Sequence, residues 1–295
     1  MLNHGIGIIG LGHEKYAHMA YNQAVSIKAA GDNTPVCFFY SPSSIAGLHP
    51  HKLEIFDKLI EIPEHEYAFM DKKAYQKAKT VAYKYTPYER TLMIDADSVW
   101  LHAYHKPSEL FDELKDIDLT FTLYQPYVAG QMAWQSEGCT IADLMPMYDI
   151  KEVNDFISIQ SSLIYFRKSD RAEKWYNLAS EIYSEPKFPF QTWANGIADE
   201  LTFNIASAIL QIKPHDVNWR PLVYPQGRNR IRAYNRNQHL STFYVLSMAG
   251  NQMPADYKRE YRATLVGACR KLGIKDTELY FWQDKKAFDK SRKKW

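Results

Sequence analysis

Two periods alternate along the first hundred residues. Ile6–Leu11 is a short apolar run rich in isoleucine and bounded by glycine, which predicts a buried first strand. From His13 to Ala30 the residues Tyr16, Ala20, Ala24 and Ile27 recur at helical spacing, and Gly31 stands where such a helix would end. Val36–Tyr40 reads as a second buried strand stopped by Ser-Pro-Ser-Ser, and Lys58–Ile62 as a third ended by Pro63. A helix is predicted over Lys72–Tyr85, then a fourth strand over Thr91–Ile94. Such alternation needs crossover connections, so the expected fold is α/β, with a Rossmann-like, mostly parallel central sheet flanked by helices.

The pattern then loosens. Leu119–Leu123 and Ile159–Phe166 read as strands on either side of a loop-rich stretch from Gln125 to Asp155. Helices are predicted over Asp170–Ser184 and Ala198–Ile209, and the chain is strand-like again from Pro225 to Gly250. Pro254 precedes an amphipathic helix, Ala255–Leu272, with Tyr257, Tyr261, Leu265, Ala268 and Leu272 on one face. The expected organisation is one domain over residues 1–250, with a C-terminal helical extension and basic tail over 251–295.

Composition adds limits rather than direction. A chain of 295 residues can bury one large core, and 46% hydrophobic with 24% charged residues is ordinary for a soluble globular protein. The net charge of +2 does not by itself select an anionic partner, so local clusters matter more. Cys37, Cys139 and Cys269 lie far apart and show neither metal-ligand spacing nor a disulfide framework, which suits a reducing compartment. No run reaches membrane-spanning length, and a cytoplasmic, soluble protein is expected.

The candidate chemistry begins where the fourth strand ends, at Asp95-Ala96-Asp97. Residues two apart in an extended chain project to one side, so both carboxylates can face one ion. Ligands of open α/β sheets sit at this carboxyl end of the strands. Carboxylates are hard ligands suited to Mg²⁺ or Mn²⁺, which keep positions free for phosphate oxygens. An isolated Asp-X-Asp is also found in solvated turns, so the flanking residues decide.

Those residues, Thr86-Pro-Tyr-Glu-Arg-Thr-Leu-Met-Ile-Asp-Ala-Asp-Ser-Val99, closely resemble the Asp-X-Asp stretch of GT-A glycosyltransferases, especially the family 8-like ones. The resemblance extends in order over about residues 5–250. It implies a GT-A fold and a metal-dependent transfer of sugar from a nucleotide-sugar donor, a UDP-sugar by expectation, to an acceptor hydroxyl. It puts Gly10, Tyr16, one of Lys77 and Lys79, Asp95, Ala96, Gln160 and Ser161 on the donor. For Tyr16 the alternative is a core tyrosine, and for the lysines a solvated helix face.

Ile159–Arg167 is similar to the family's Asn-Ser-Gly strand, with Gln160 in place of asparagine and Ser162 in place of glycine. Gly196–Asn204 resembles the segment that opens a helix beneath the sugar, giving Asp199 and Glu200 as the catalytic candidates. Carboxylates also suit a helix N-terminus electrostatically, which is the alternative. Glu200 stands where glutamine is usual, so the resemblance leaves both stereochemical outcomes open. A late His-X-X-Gly segment normally adds a metal ligand, but the matching piece is Ser247-Met-Ala-Gly250. The metal candidates are therefore Asp95, Asp97 and Ser247, with His239 available only if the chain doubles back.

Arg228, Arg230 and Arg232 would share one face of a strand and are candidate acceptor contacts. The first-choice acceptor is a glycan, and the alternative is DNA carrying a hydroxymethylated base, which a stripe of arginine would suit. A dinucleotide-dependent oxidoreductase fits poorly. Gly5-X-Gly7-X-X-Gly10 falls inside the first strand, and the second strand lacks an acidic residue for a ribose hydroxyl. A non-catalytic sugar- or nucleic-acid-binding protein is the remaining class, and it predicts no turnover.

Overall fold

The computed structural model describes residues 2–126, 128–133, 136–192, 195–216, 219, 221–223, 240–248 and 255–281. In chain order the elements begin with β1 (Leu2–Ile9), α1 (Glu14–Lys28), β2 (Val36–Tyr40), the short α2 (Pro42–Ile45) and α3 (Pro50–Leu53), and β3 (Lys58–Glu61). A small hairpin, β4 (Ala68–Phe69) and β5 (Lys72–Lys73), precedes α4 (Ala78–Tyr85), β6 (Tyr88–Asp95), β7 (Ser98–Trp100) and α5 (Pro107–Glu113). Next come β8 (Leu119–Pro126), α6 (Ile141–Met147), β9 (Ile157–Arg167), α7 (Asp170–Ser184) and α8 (Asp199–Ile209). The last are β10 (Leu222–Val223), β11 (Val245–Ser247) and α9 (Ala255–Leu272).

Six strands form the central sheet in the order β3-β2-β1-β6-β9-β8, mostly parallel and flanked by helices, with β8 antiparallel to β9. Chain order runs outward from β1 to β3 on one side and resumes at β6 on the other. Gly5 and Gly7 lie inside β1. A Cβ on Gly5 would come 2.5 Å from ring carbons of Tyr88, so this glycine makes room for an aromatic side chain and not for a pyrophosphate.

The chain divides into two compact units, each drawn from three stretches of sequence. The first comprises Met1–Gly7, Ile60–Met93 and Asp116–Arg220. There α8 packs on β9 and α7, and α7 on α4. Trp175 anchors this core, stacked 4.5 Å from Phe203 and 5.6 Å from Phe121, with its indole N–H donated to Ser207 Oγ at 2.7 Å. Satisfying that N–H lets a large ring be buried without an orphaned donor.

The second unit comprises Ile8–Leu59, Ile94–Lys115 and Pro221–Trp295. Here α1 packs on α9 and β7, and Ser26 Oγ accepts from Trp100 N at 2.8 Å. β7 joins β11 and β10 in a three-stranded sheet. Beyond α9 the chain returns to α1. Asn22 brackets Tyr280, donating to its carbonyl at 2.6 Å and accepting from its N–H at 3.2 Å. His51 Nε2 lies 2.7 Å from Glu278 Oε2, and His18 stacks on Tyr280.

Three expectations need correction. The helix predicted from Lys72 starts only at Ala78, because Lys72–Lys73 pair with Ala68–Phe69 across a turn in which Met70 and Asp71 take positive φ (46° and 59°). The loop-rich stretch contains α6, opened by a capping box between Thr140 and Asp143 and masked in the sequence by Pro146 within it. In the strand-like C-terminal stretch only β11 forms a strand among the described residues, after a 3₁₀ turn at Leu240–Thr242, and residues 224–239 lie outside them.

Candidate active site

In the second unit, the ends of β1, β2 and β6 meet the start of α1. Asp95 closes β6, and Asp97 lies in the turn that leads into β7; both are half-buried. Ala96 N donates to Ile9 O at 3.2 Å, tying this turn to the end of β1. Gly10 is the point of closest approach. A Cβ there would lie 3.0 Å from Tyr16 O, 3.1 Å from the Phe38 ring and 3.3 Å from Ala96 Cβ. Glycine therefore lets the first turn of α1 and the Asp-Ala-Asp turn close on each other. The order of strands reverses at β1, which is where open α/β sheets take ligands.

Lys15 and Tyr16 open α1. Lys15 Nζ lies 4.7 Å from the Tyr16 ring centroid, and Tyr16 is 37% exposed, so it is not a core tyrosine. Burial pushes the Lys15 ammonium below its usual range, and the nearby Asp97 carboxylate opposes that fall. From α9, buried Tyr261 also feels Asp97. Burial first, and the Asp97 charge second, raise its hydroxyl well above the ordinary phenol range. Met248 N donates to Asp97 O at 2.8 Å, whereas Ser247, one residue earlier, is fully buried and pairs in register with Ser98. Among the described residues no three His, Cys, Asp or Glu side chains form a metal-binding group.

The first unit holds a second polar cluster. Asp199 is the first residue of α8, only 5% exposed, and its Oδ2 lies 3.2 Å from Lys79 Nζ. Lys79 also donates to Ser161 Oγ at 3.2 Å. Gln160, from the buried β9, donates to Glu200 Oε1 at 3.3 Å and to Ser162 Oγ at 3.0 Å. Asn204, one turn along α8, accepts from Ile159 N at 2.8 Å and fixes the helix to the strand. Tyr183 packs close by, its hydroxyl raised by burial and then by the Asp199 charge.

Of the predicted donor residues, Gly10, Tyr16, Asp95 and Ala96 thus come together with Asp97 in the second unit. Lys79, Gln160 and Ser161 come together with Asp199 and Glu200 in the first. Lys77 does not join them: it donates to Ala68 O at 3.0 Å, and burial lowers its pKa against an opposing contribution from Glu66. His239, Arg228, Arg230 and Arg232 lie outside the described residues. Sequence reasoning missed Lys15, whose signal is a lysine in the turn between the first strand and Tyr16. It also missed the nearness of Tyr261 to Asp97, for which a position on an apolar helix face gives no hint.

The architecture is the GT-A glycosyltransferase fold. No protein-family model matches the sequence, and no curated protein matches it either. Solved structures do. The apo structure of the bifunctional glycosyltransferase WbbM is similar at a TM-score of 0.58 and 13% identity, covering 92% of this chain and 51% of that one. The galactosyltransferase LgtC, solved with donor and acceptor sugar analogues, matches at a TM-score of 0.51 and 12% identity over 88% of this chain and 95% of its own. Apo glycosyltransferase GlyE of Streptococcus pneumoniae TIGR4 matches at 0.50 and 8% identity, over 92% and 63%. The chain thus spans about half the length of WbbM and nearly all of LgtC, and the likeness is one of fold.

Proposed function

We propose that the protein is a metal-dependent glycosyltransferase that moves a sugar from a nucleotide-sugar donor, by expectation a UDP-sugar, to a hydroxyl of a glycan acceptor. The observation that carries this reading is the Asp95-Ala96-Asp97 turn at the carboxyl end of β6, closed against Gly10 and the start of α1. The donor and acceptor sugar analogues bound to LgtC give the fold a precedent for both ligands.

The donor set suits a hard divalent cation, Mn²⁺ or Mg²⁺. Asp95 and Asp97 would hold it, and the lack of a third acidic or imidazole ligand among the described residues leaves its other positions to phosphate oxygens and water. When bound, such an ion takes up charge on the departing diphosphate. Tyr16 offers an aromatic face to the base. Gln160, Ser161 and Lys79 orient the sugar from β9 and α4.

The two catalytic candidates separate by environment. The Asp199 carboxylate is buried against Lys79, so its role is to hold that lysine and the sugar-side strand in place. Glu200 is half-buried with one oxygen on the Gln160 amide, and it is the carboxylate we place beside the anomeric carbon. The test is release of nucleoside diphosphate from a panel of nucleotide sugars with Mn²⁺, with and without glycan acceptors. Turnover that EDTA abolishes is expected. Absence of turnover and of any thermal shift with every nucleotide sugar would overturn the reading in favour of a non-catalytic binder.

A further inference from the structure

Gln160 is buried in β9 and carries an amide nitrogen with two hydrogens to donate. That nitrogen donates to Glu200 Oε1 at 3.3 Å and to Ser162 Oγ at 3.0 Å. The amide is not free to face the other way, because an ionised carboxylate only accepts and would repel a carbonyl oxygen. The strand is shaped around this contact. Against β8 the register jumps: Phe121 pairs with Ile164, but the next residue, Thr122, pairs with Gln160. Ser161–Leu163 therefore stand out of that ladder, and irregularities of this kind re-aim side chains beside functional sites. Asn204 Oδ1 accepts from Ile159 N, the residue before Gln160, so α8 is pinned to the strand at this point. Gln160, Ser162 and Glu200 are also the places where these two segments depart from the pattern they resemble, and the hydrogen bonds join all three.

We infer that Gln160 is a positioning residue for Glu200: its amide stops the carboxylate from turning and favours the ionised form. The inference rests on the placing of Glu200 beside the anomeric carbon and adds how it is held there. A hydrogen bond given to the charged form of an acid keeps that acid charged. The ionised form is the useful one, since a diphosphate whose charge is taken up by a cation leaves without needing a proton. The ionisable groups around the pair are Asp199 beside Glu200 on α8, Lys79 from α4 and the Tyr183 hydroxyl from α7. Lys79 Nζ lies 3.2 Å from Asp199 Oδ2, and Tyr183 feels the Asp199 charge. Gln160 differs from all of these in being a neutral donor of fixed direction, whose hold on Glu200 does not itself titrate.

Gln160→Leu keeps most of the bulk and removes both donor hydrogens. It would be assayed in the full chain with Mn²⁺ and whichever nucleotide sugar of the panel turns over fastest. The kcat is expected to fall roughly ten- to a hundredfold, the scale of a hydrogen bond to a charged group. The KM for the donor should stay within about threefold of wild type. Without the amide the carboxylate is easier to protonate, so the acid limb of the kcat profile should move up by about one pH unit. A loss of packing would reduce the folded fraction without moving that limb. Gln160→Met replaces Gln160→Leu if circular dichroism shows that the latter has lost its fold. If Glu200→Gln abolishes turnover but the Gln160 variant keeps both its kcat and its acid limb, the positioning role is wrong and Glu200 keeps its place. A raised KM with an unmoved limb overturns the role as well, since the amide would then serve the sugar directly. If Glu200→Gln turns over like wild type, the placing of Glu200 falls and the positioning role with it. If the wild type turns over no nucleotide sugar, the transferase reading itself falls.

Discussion

Lys79 Nζ lies 3.2 Å from Asp199 Oδ2, and both side chains are largely withdrawn from water, at 18% and 7% exposure. A buried pair of this kind adds little over an apolar replacement of both partners, but removing one leaves a charge without compensation. Lys79→Met should cost about 3 kcal/mol of stability, and the double variant Lys79→Met/Asp199→Asn should recover most of it. Urea denaturation of the two single variants and the double variant reads this directly. Additive losses would show that the two residues do not act as a pair.

The acidic turn should respond as a metal site. Asp97→Asn is expected to lower transfer by at least about 10²-fold and Asp95→Asn strongly, with secondary structure unchanged by circular dichroism. Full activity in EDTA, or near-native rates in Asp97→Asn, would remove the cation from the mechanism.

Glu200→Gln separates chemistry from architecture. Beside the anomeric carbon, this carboxylate should affect kcat far more than donor affinity. As a first-turn charge at the start of α8, it would contribute about 1 kcal/mol of stability or less and leave kcat almost unaltered. One variant, measured by steady-state kinetics and thermal melting, tells the two apart.

A pH effect is expected at Asp32, away from the site. Burial raises its carboxyl, but backbone donors prevail: Ser108 N at 2.8 Å and Thr34 N at 2.9 Å hold it below the usual range. Because the folded-state pKa is depressed, the stabilisation is present above the unfolded value and is lost as pH falls through the folded one. Asp32→Asn should cost about 1 kcal/mol at pH 7, allowing for partial exposure, and the difference from wild type should vanish in acid. A cost that persists below pH 3 would show that shape rather than charge matters there.

Much of the framework was legible because it depends on local pattern. Val36–Tyr40, Asp170–Ser184 and Ala255–Leu272 agree with the predicted bounds, since an apolar run or a helical face has to be buried wherever it falls. Asp95 and Asp97 stand out because two carboxylates at the end of a buried strand break the apolar pattern. The choice between Lys77 and Lys79 was not legible. Both were assigned to one helix, and only the hairpin that brings Ala68 O to Lys77 distinguishes them. The nearness of Lys15 to Asp97 was not legible, because the two lie eighty-two positions apart in the sequence and meet only through the fold. β7 escaped notice because three residues are too few to show a period.

The interleaving of the two units governs how this chain can be made. Strand β1 begins in the first unit, whose last stretch ends only at Arg220, while α1 of the second unit awaits α9, starting at Ala255. A growing chain cannot complete the first unit before Arg220 has left the ribosome, nor pack α1 of the second before α9 has, so folding depends on long-range closure and should be correspondingly slow. No single cut in the sequence yields either unit whole. Fragments ending before Ala255 would expose the apolar face of α1 that α9 covers, and they should be recovered as aggregates rather than as a smaller folded protein.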